Sequence, residues 1–350
     1  MNTHIRSFAW VVMAAAAAFS MPAGAEVRIY GRANLSLDYL DNGDDSGLDI
    51  SSNSSRIGFK VSTDIAEGLK GIMQLEQEIR FDNGAGTFAT RDSYAGVEGG
   101  FGAIRAGYFD TPLKKVRSEV DLFNDQMGDA RNLTRLSNVT IAPAPALTAD
   151  FDTRFYNSIQ YSTPVLSSFV IDLDHSTNNG TTTNPPDDEA TADSIGLSYK
   201  TGDLYLGFAG ETQESRNDSA AVRFGARYNP GNLSLVALLQ RATVKPLVGD
   251  EIDINTLGFG ASYKLTGNTV IKGQVYNNTD DRDASDARML ALGLDHSLSK
   301  QFRLQFVLAG TDNDDQASYK VTAGGHGDQI PAVAGEQATG ISAGIRYDFE

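Results

Sequence analysis

The sequence has 350 residues, a formal net charge of −16 at pH 7, no cysteine and 35 glycines. The acidic balance argues against nucleic acid as a partner, since that partner needs a basic face, and the lack of cysteine excludes disulfides and thiolate chemistry. Glycines and short alternating stretches spread evenly along the chain favour one all-β domain over two domains joined by a linker.

Residues 1–25 have the pattern of a secretory signal peptide. Arg6 precedes a nearly uninterrupted apolar stretch, and Ala23, Gly24 and Ala25 form an A-x-A cleavage site. The apolar stretch is shorter than the roughly 18 residues that a spanning helix needs. We therefore expect the mature chain to begin at Glu26 and, if it lies in a membrane, to cross it as strands.

The mature chain starts with a long alternating segment. Within residues 27–39, apolar side chains such as Val27 and Ile29 alternate with polar ones such as Arg28, Arg32 and Asp38. This period of two is typical of a strand with one polar face. Comparable segments continue to residue 349 and give about 16 strands, an even number in the range of bacterial outer-membrane barrels.

The connections between these segments alternate in length. Short turns occur at residues 67–68, 99–102, 201–202, 230–231 and 266–267, whereas residues 41–55, 175–193 and 310–339 form long polar stretches. Short turns at one end and long loops at the other are typical of a transmembrane antiparallel β-barrel with periplasmic turns and outer loops. The alternative is a soluble secreted β-domain that binds a partner and buries its apolar faces in a core.

Residues 110–153 form the longest insertion between predicted strands. Leu113, Val116 and Val120, followed by Phe123 and Met127, fall at steps of three and four and predict a short helix. The polar side of this helix carries the candidate residues Glu119, Asp121 and Asp125, together with Lys114, Lys115, Arg117 and Asp129.

Several stretches resemble one protein family, the general porins of Gram-negative outer membranes, of the type found in Neisseria and related proteobacteria. The matching residues are 27–32, 54–60, 68–76, 91–96, 99–107, 157–164 and 295–300, in that order along nearly the whole mature chain. The resemblance implies a 16-stranded homotrimeric barrel in the outer membrane that passes small hydrophilic solutes and ions by passive diffusion. It also implies that the third outer loop folds into the lumen and narrows it. Members usually end in an aromatic residue that the barrel-assembly machinery recognises, but here Phe349 precedes a final Glu350.

Charged residues on the predicted lumen face are the candidate pore residues. By strand parity they are Arg28, Arg32, Arg56, Lys60, Arg80, Arg105, Arg154, Asp38, Glu76 and Glu78. The resemblance implies that Glu119, Asp121 and Asp125 of the insertion face Arg32, Arg56, Arg80 and Arg105 across the pore. The alternative for each loop charge is a solvated helix face. Because the narrowest ring dominates selectivity and the wall is basic, we expect a preference for anions, opposed near the mouths by the net negative charge.

Other functional classes find less support in the sequence. The acidic stretches 41–45, 279–283 and 312–315 lack the spacing of a calcium loop, so neither a metal site nor a cofactor is expected. We hypothesise that these stretches share divalent cations with lipopolysaccharide phosphates. His175, His296 and His326 are the histidines of the mature chain and lie in no catalytic motif, so an enzyme is not expected. A receptor or adhesin barrel acting through residues 310–339 remains the alternative.

Overall fold

The computed structural model describes residues 24–84, 88–136, 149–179, 191–214, 218–245, 250–322, 325–327 and 330–350. Nearly all of the predicted signal peptide, residues 1–23, lies outside these ranges. None of the helices in the described ranges is both long and apolar enough to pass through a membrane.

Antiparallel strands make up most of the described chain. They are β1 Glu26–Asp41, β2 Ser46–Ser52, β3 Arg56–Ala66, β4 Leu69–Glu78, β5 Ser93–Gly99, β6 Gly102–Asp110, β7 Arg154–Ser162, β8 Phe169–Ser176, β9 Ala192–Thr201, β10 Leu204–Gln213, β11 Ser219–Tyr228, β12 Leu233–Val244, β13 Ile252–Lys264, β14 Thr269–Asp280, β15 Ala287–Ser297, β16 Phe302–Asn313 and β17 Ala338–Phe349. Two short helices, α1 Pro112–Val120 and α2 Arg131–Thr134, lie between β6 and β7.

The sheet closes on itself as a barrel. β1 pairs with β17 in a register that runs from Gly31 opposite Phe349 to Asp41 opposite Thr339. On its other side, β1 pairs with two strands: its residues 35–41 pair with β2, and its residues 26–32 pair with β3. β2 and β3 therefore form one interrupted barrel strand, and the prediction of an antiparallel barrel of about 16 strands is confirmed. No sheet edge is left unpaired in the described part of the chain, as the membrane interior requires.

Side-chain hydrogen bonds bridge the interruption at residues 53–55. The Ser55 hydroxyl accepts from the backbone N–H of Asn34 at 2.9 Å and donates to the Asn34 carbonyl at 3.1 Å. Ser54 has a φ of 52°, in the left-handed region that few non-glycine residues adopt. The Ser55 hydroxyl thus replaces the ladder bonds that the bend removes.

The prediction of a long outer loop at residues 41–55 is wrong. β1 and β2 instead form a hairpin around residues 42–45, where the Asn42 Oδ1 accepts from the backbone N–H groups of Asp44 and Asp45 at 3.0 and 2.7 Å. Gly43 has a φ of 92°, which this turn requires. β2 lies at the outer end of the barrel and is rich in polar residues. These residues obscure the alternation that would have identified it as a strand.

The connections differ in length between the two ends of the barrel. At the end that holds Glu26 and Phe349, the longest connection is residues 163–168. The opposite end carries the long connections 79–92, 111–153, 177–191 and 314–337, alongside short ones such as 214–218. By the usual asymmetry of outer-membrane barrels, the long connections mark the outer side.

Candidate functional site

Each strand presents an apolar face outward and a polar face inward. On β1, the outward Val27, Ile29 and Leu37 are 59%, 51% and 47% exposed, whereas the inward Asn34 and Asp38 are buried. Such exposure of apolar side chains is costly in water but suits contact with lipid. The charges of the inward face therefore meet inside the barrel.

The described parts of the connection from β6 to β7, residues 111–136 and 149–153, fold into the barrel; we call them the inner loop. It packs against one glycine on the inward face of each of five strands: Gly196 on β9, Gly225 on β11, Gly260 on β13, Gly293 on β15 and Gly340 on β17. A Cβ atom added at these positions would lie within 3 Å of Pro112, Val116, Leu122, Phe123 and Met127 respectively. Only residues without a side chain leave room for this approach. The glycines explain why the loop lies on this wall rather than above the barrel.

Helix α1 starts and stops at recognisable signals. Thr111 caps its N-terminus by accepting from the Lys114 backbone N–H at 3.3 Å, and Pro112 occupies the first turn. Leu113, Val116 and Val120 are buried against the wall. The prediction that this helix continues to Met127 is wrong: it ends at Val120, and Phe123 and Met127 are buried in the turns that follow.

Asp125 of the inner loop meets two of the predicted wall arginines. Its Oδ2 lies 3.2 Å from Arg32 Nη1 on β1 and 3.6 Å from Arg56 Nη2 on β3. Its Oδ1 accepts from Arg131 Nη2 at 2.8 Å within the loop. Burial would raise the pKa of Asp125, but the surrounding guanidinium groups, led by Arg131 and Arg56, hold it well below its usual range. The carboxylate is therefore ionised.

A second buried network fixes the ends of the inner loop to the wall. Arg223 of β11 donates through Nη2 to Asp152 Oδ2 at 2.9 Å, and Arg117 Nε lies 3.4 Å from Asp152 Oδ1. All three side chains are at most 1% exposed. Burial opposes ionisation, yet Arg223 and Arg117 lower the pKa of Asp152 to about 2. Buried ion pairs of this kind keep the loop in its position on the wall, because separating the partners would leave a buried charge uncompensated.

Glu76 on β4 gathers a third group of charges. It accepts from Arg91 Nε at 2.6 Å and from the Tyr30 hydroxyl at 2.8 Å, and it lies 4.0 Å from Arg56 Nη1. Arg56 therefore lies between the carboxylates of Glu76 and Asp125. Sequence analysis missed Arg91, which lies in a connection without alternation.

Arg105 and Arg154 line the wall formed by β6 and β7. Arg105 donates to Gln160, and its guanidinium lies over the ring of Tyr94 at 5.0 Å. Arg154 Nη2 lies 3.0 Å from Asp110 Oδ1. Lys115 of α1, on the side that faces this wall, lies 3.3 Å from Asp172. This part of the barrel therefore carries both positive and negative side chains.

Not every predicted pair meets across the barrel. Asp121 pairs with Arg117 of its own loop at 3.0 Å, and Arg80 pairs with Asp82 at 2.8 Å. Glu119 contacts Arg227, which sequence analysis missed although it alternates with outward residues of β11. Glu119 and Asp121 therefore pair with Arg227 and Arg117. The expectation that they face Arg32, Arg56, Arg80 and Arg105 is wrong.

Three further predicted residues lie near the short-turn end or beside the inner loop. Arg28 is half exposed and pairs with Glu350 at 2.8 Å. Lys60 lies 4.8 Å from the centre of the Tyr30 ring, and the backbone N–H of Glu78 donates to the Thr90 hydroxyl at 3.0 Å. These positions agree with the inward parity of β1, β3 and β4 and place Arg28 away from Asp125.

The described parts of the connection from β16 to β17, residues 314–322, 325–327 and 330–337, also turn into the barrel; we call them the terminal loop. The Val321 carbonyl accepts from the Gly128 backbone N–H at 3.0 Å and from Asn132 Nδ2 at 2.8 Å. His326 Nε2 lies 3.0 Å from Asp38 Oδ2. The polar composition of this loop did not predict that it enters the barrel. The loop contacts the inner loop through its backbone and has no stripe of apolar side chains that would indicate burial.

Known proteins share this architecture. The profile of a protein family described as Gram-negative porin matches residues 11–316. The chain is 29% identical over 357 residues to "Outer membrane porin protein 32" of Delftia acidovorans, covering 95% of this chain and 97% of the relative. It is 25% identical over 243 residues to "Major outer membrane protein P.IB" of Neisseria gonorrhoeae, covering 67% and 64% of the two chains.

Solved structures resemble the barrel over nearly its whole length. An anion-selective porin from Comamonas acidovorans superposes with a TM-score of 0.81 at 27% identity and covers 93% of this chain and 100% of that one. The trimer form of OmpT from Vibrio cholerae has a TM-score of 0.68 at 16% identity, with coverages of 93% and 100%, and shows the fold alone.

Proposed function

This chain belongs to the Gram-negative porin family, and from that premise we propose that its inner loop forms the constriction of an anion-preferring channel. The family and its relatives place the chain in the outer membrane as a porin channel, in a family of channels rather than enzymes. The proposal concerns which groups narrow the channel and set its preference. We also propose that the protein has no enzymatic activity.

The relative exposure of opposite charges carries this proposal. The side chains of Arg32 and Arg56 are 18% and 16% exposed, whereas those of Asp125 and Glu76 are 6% and 9% exposed. The carboxylates are thus covered by the guanidinium groups that bind them. In these contacts the cations are the more exposed partners, whereas Asp348, which accepts from Arg32 at 2.8 Å, is itself 39% exposed. Rings of side-chain charge set the selectivity of a pore.

A cavity beside α1 extends the same arrangement toward the short-turn end. It has a volume of about 280 Å³ and is lined by Lys115, Glu119, Asp172 and Tyr205 among others. Lys115 keeps 36% of its side chain exposed, against 16% for Asp172. This pair has the same order of exposure and supports the proposal, whereas Glu119, at 34%, is more exposed than its partner Arg227, at 27%. The similar porin from Comamonas acidovorans is described as anion-selective, which also supports this preference.

The proposal is tested by the reversal potential of the reconstituted protein in a planar bilayer under a potassium chloride gradient. We expect a sign that reports anion preference, and a shift toward zero in each of the single variants Arg32→Ala and Arg56→Ala. Arg28→Ala removes a wall charge near the short-turn end, away from Asp125, and is the matched control. A cation-preferring wild type, or an equal shift in the control, would contradict the proposal.

Three further expectations complete this picture as proposals. β1 begins at Glu26, directly after the A-x-A site, which supports cleavage of residues 1–25. A homotrimer is supported by the trimer form of OmpT and predicts current steps in groups of three. We also propose that the barrel-assembly machinery and lipopolysaccharide are partners.

No observation favours the receptor alternative. It depended on residues 310–339, but β16 extends to Asn313 and the described part of the terminal loop has Tyr319 and Val321 buried inside the barrel.

A further inference from the structure

Lys60 on β3 and Arg105 on β6 differ from the constriction arginines in their partners. Arg32 and Arg56 share the carboxylate of Asp125. Within the ranges that the structure describes, neither Lys60 nor Arg105 forms an ion pair with a carboxylate. Both lie on the inward face of the barrel, outside the row of strands from β9 to β17 on which the inner loop packs. Their positive charges therefore face the lumen uncompensated.

An aromatic ring positions Lys60. Its Nζ lies 4.8 Å from the centre of the Tyr30 ring. That ring lies across β3 at Gly58, where any Cβ atom would overlap it, and its hydroxyl donates to Glu76 at 2.8 Å. An aromatic face attracts a cation through its quadrupole but carries no net charge. Lys60, which is exposed, is therefore held in place without being neutralised.

Two aromatic rings and a neutral amide position Arg105. Its guanidinium lies 5.0 Å from the centre of the Tyr94 ring and 5.4 Å from that of Phe109. Its Nη2 donates to Gln160 Oε1, which also accepts from Lys115 Nζ at 2.9 Å. Two cations thus converge on one uncharged oxygen. Such an arrangement concentrates positive charge on this side of the lumen, because like charges at this separation repel each other unless an anion joins them.

The carboxylates near Arg105 are engaged by other donors. Asp172 lies 3.3 Å from Lys115. Asp174 is 4% exposed and accepts from Gln160 Nε2 at 3.1 Å and from the Ser158 hydroxyl. The Gln160 amide therefore separates Asp174 from Arg105, and the charge of Arg105 stays available to an ion in the lumen.

Uncharged side chains join the two cations along the wall. In register, Lys60 lies opposite Gln74 on β4, and Gln74 lies opposite Tyr94 on β5. The Tyr94 hydroxyl donates to Gln74 Oε1 at 3.2 Å. Three strand spacings separate β3 from β6, or roughly 14 Å between their backbones. An anion that moves along this row meets two positive charges with neutral polar groups between them.

We propose that Lys60 and Arg105, which we call the ring-supported pair, are specificity-determining residues that draw small inorganic anions and short carboxylates through the lumen beyond the constriction. Lys60 lies nearer the short-turn end of β3 than Arg56 does, so the pair acts as a second step on the path of the ion. This inference rests on the proposed anion preference and adds to it two residues outside the inner loop. Charge that no carboxylate cancels acts on a passing ion over about the Debye length, roughly 10 Å at 0.1 M salt.

The test measures the ratio of chloride to potassium permeability, from reversal potentials of the reconstituted protein under potassium chloride gradients. We expect Lys60→Gln and Arg105→Gln each to lower this ratio about twofold near 0.1 M salt, and the double variant to lower it about fourfold, because distant sites act additively. Near 1 M salt, where the Debye length is about 3 Å, the differences should largely vanish. Lys300→Ala removes the same charge from an exposed turn at the short-turn end and should leave the ratio unchanged.

Charge-conserving variants separate selectivity from a merely structural role. Lys60→Arg and Arg105→Lys should keep the wild-type ratio, since each retains its charge. An unchanged ratio in both glutamine variants, or an equal loss in the charge-conserving ones, would overturn the role of the ring-supported pair. A wild type that prefers potassium would contradict the proposed function, whereas a fall of the ratio in the glutamine variants would still support this inference.

Discussion

His326 of the terminal loop and Asp38 of β1 form a contact in which both side chains are fully buried, with Nε2 and Oδ2 3.0 Å apart. The Ser36 hydroxyl also donates to Asp38 Oδ2, at 2.8 Å. The terminal loop is thus held to the barrel wall by this contact and by others, such as the Gly327 backbone N–H to Asn53 Oδ1 at 3.0 Å, and to the inner loop through the Val321 carbonyl.

Replacing this histidine should loosen the terminal loop. We expect His326→Ala to speed tryptic cleavage after Lys320 and to increase the noise of the open-channel current, because Asp38 loses its buried partner. The control is His175→Ala, since His175 pairs with Asp193 on the outward face. Equal cleavage rates in the two variants would show that His326 does not hold the loop.

Removing the loop carboxylate should strengthen the anion preference. Asp125→Asn leaves Arg32, Arg56 and Arg131 without the acid that they share. The reversal potential should shift further in the anion direction, and single-channel conductance in chloride should change with it. Asp314→Asn, at an exposed position of the terminal loop, serves as the control for loss of one negative charge. A shift of the same size in the control would assign the effect to the mouth rather than the constriction.

Asp152 should be the most sensitive acid of the inner loop. Asp152→Asn leaves Arg223 buried without its carboxylate, whereas Arg117 keeps Asp121 and Asp129, and breaking such a buried pair costs about 3–5 kcal/mol. Thermal unfolding followed by circular dichroism at pH 7 measures this loss. A change as small as that of an exposed Asp-to-Asn variant would contradict the role assigned to the network.

The same carboxylate predicts a direction of pH dependence. Its pKa is lowered to about 2 in the folded protein, below the value of about 3.9 of a free aspartate. The folded state therefore binds fewer protons, so the stabilisation is complete above about pH 4 and is lost as the pH falls through about 2. The difference in unfolding temperature between wild type and Asp152→Asn should narrow over this range. A constant difference would show that the carboxylate is not ionised in the folded protein.

The glycines under the inner loop should tolerate no side chain. A Cβ on Gly225 would lie 2.8 Å from Val116 Cγ1, whereas a Cβ on Gly210 meets nothing closer than 3.8 Å. Gly225→Ala should displace α1 and alter single-channel conductance, and Gly210→Ala should leave both unchanged. Identical conductance in the two variants would mean that the helix adjusts without moving the constriction.

The sequence determined the class of fold and the inward parity of the strands. Alternation with period two is a local property, so β1 and its inward Arg28 and Arg32 can be predicted without any partner strand. The length of residues 110–153 likewise marks the inner loop. Where alternation is weak, as in the serine- and aspartate-rich β2, prediction fails because nothing local separates a polar strand from a loop.

The pairing of charges was decided by the tertiary structure. Asp125 meets Arg32, 93 residues away, and also Arg56 and Arg131, because the inner loop packs on a row of glycines that runs from β9 to β17, the neighbour of β1. The steric fit at Gly225 and Gly340 fixes the path of the loop, and the path fixes which carboxylate reaches which arginine. Parity gives the face of a side chain, but only closure of the barrel and packing of the loop give its partner.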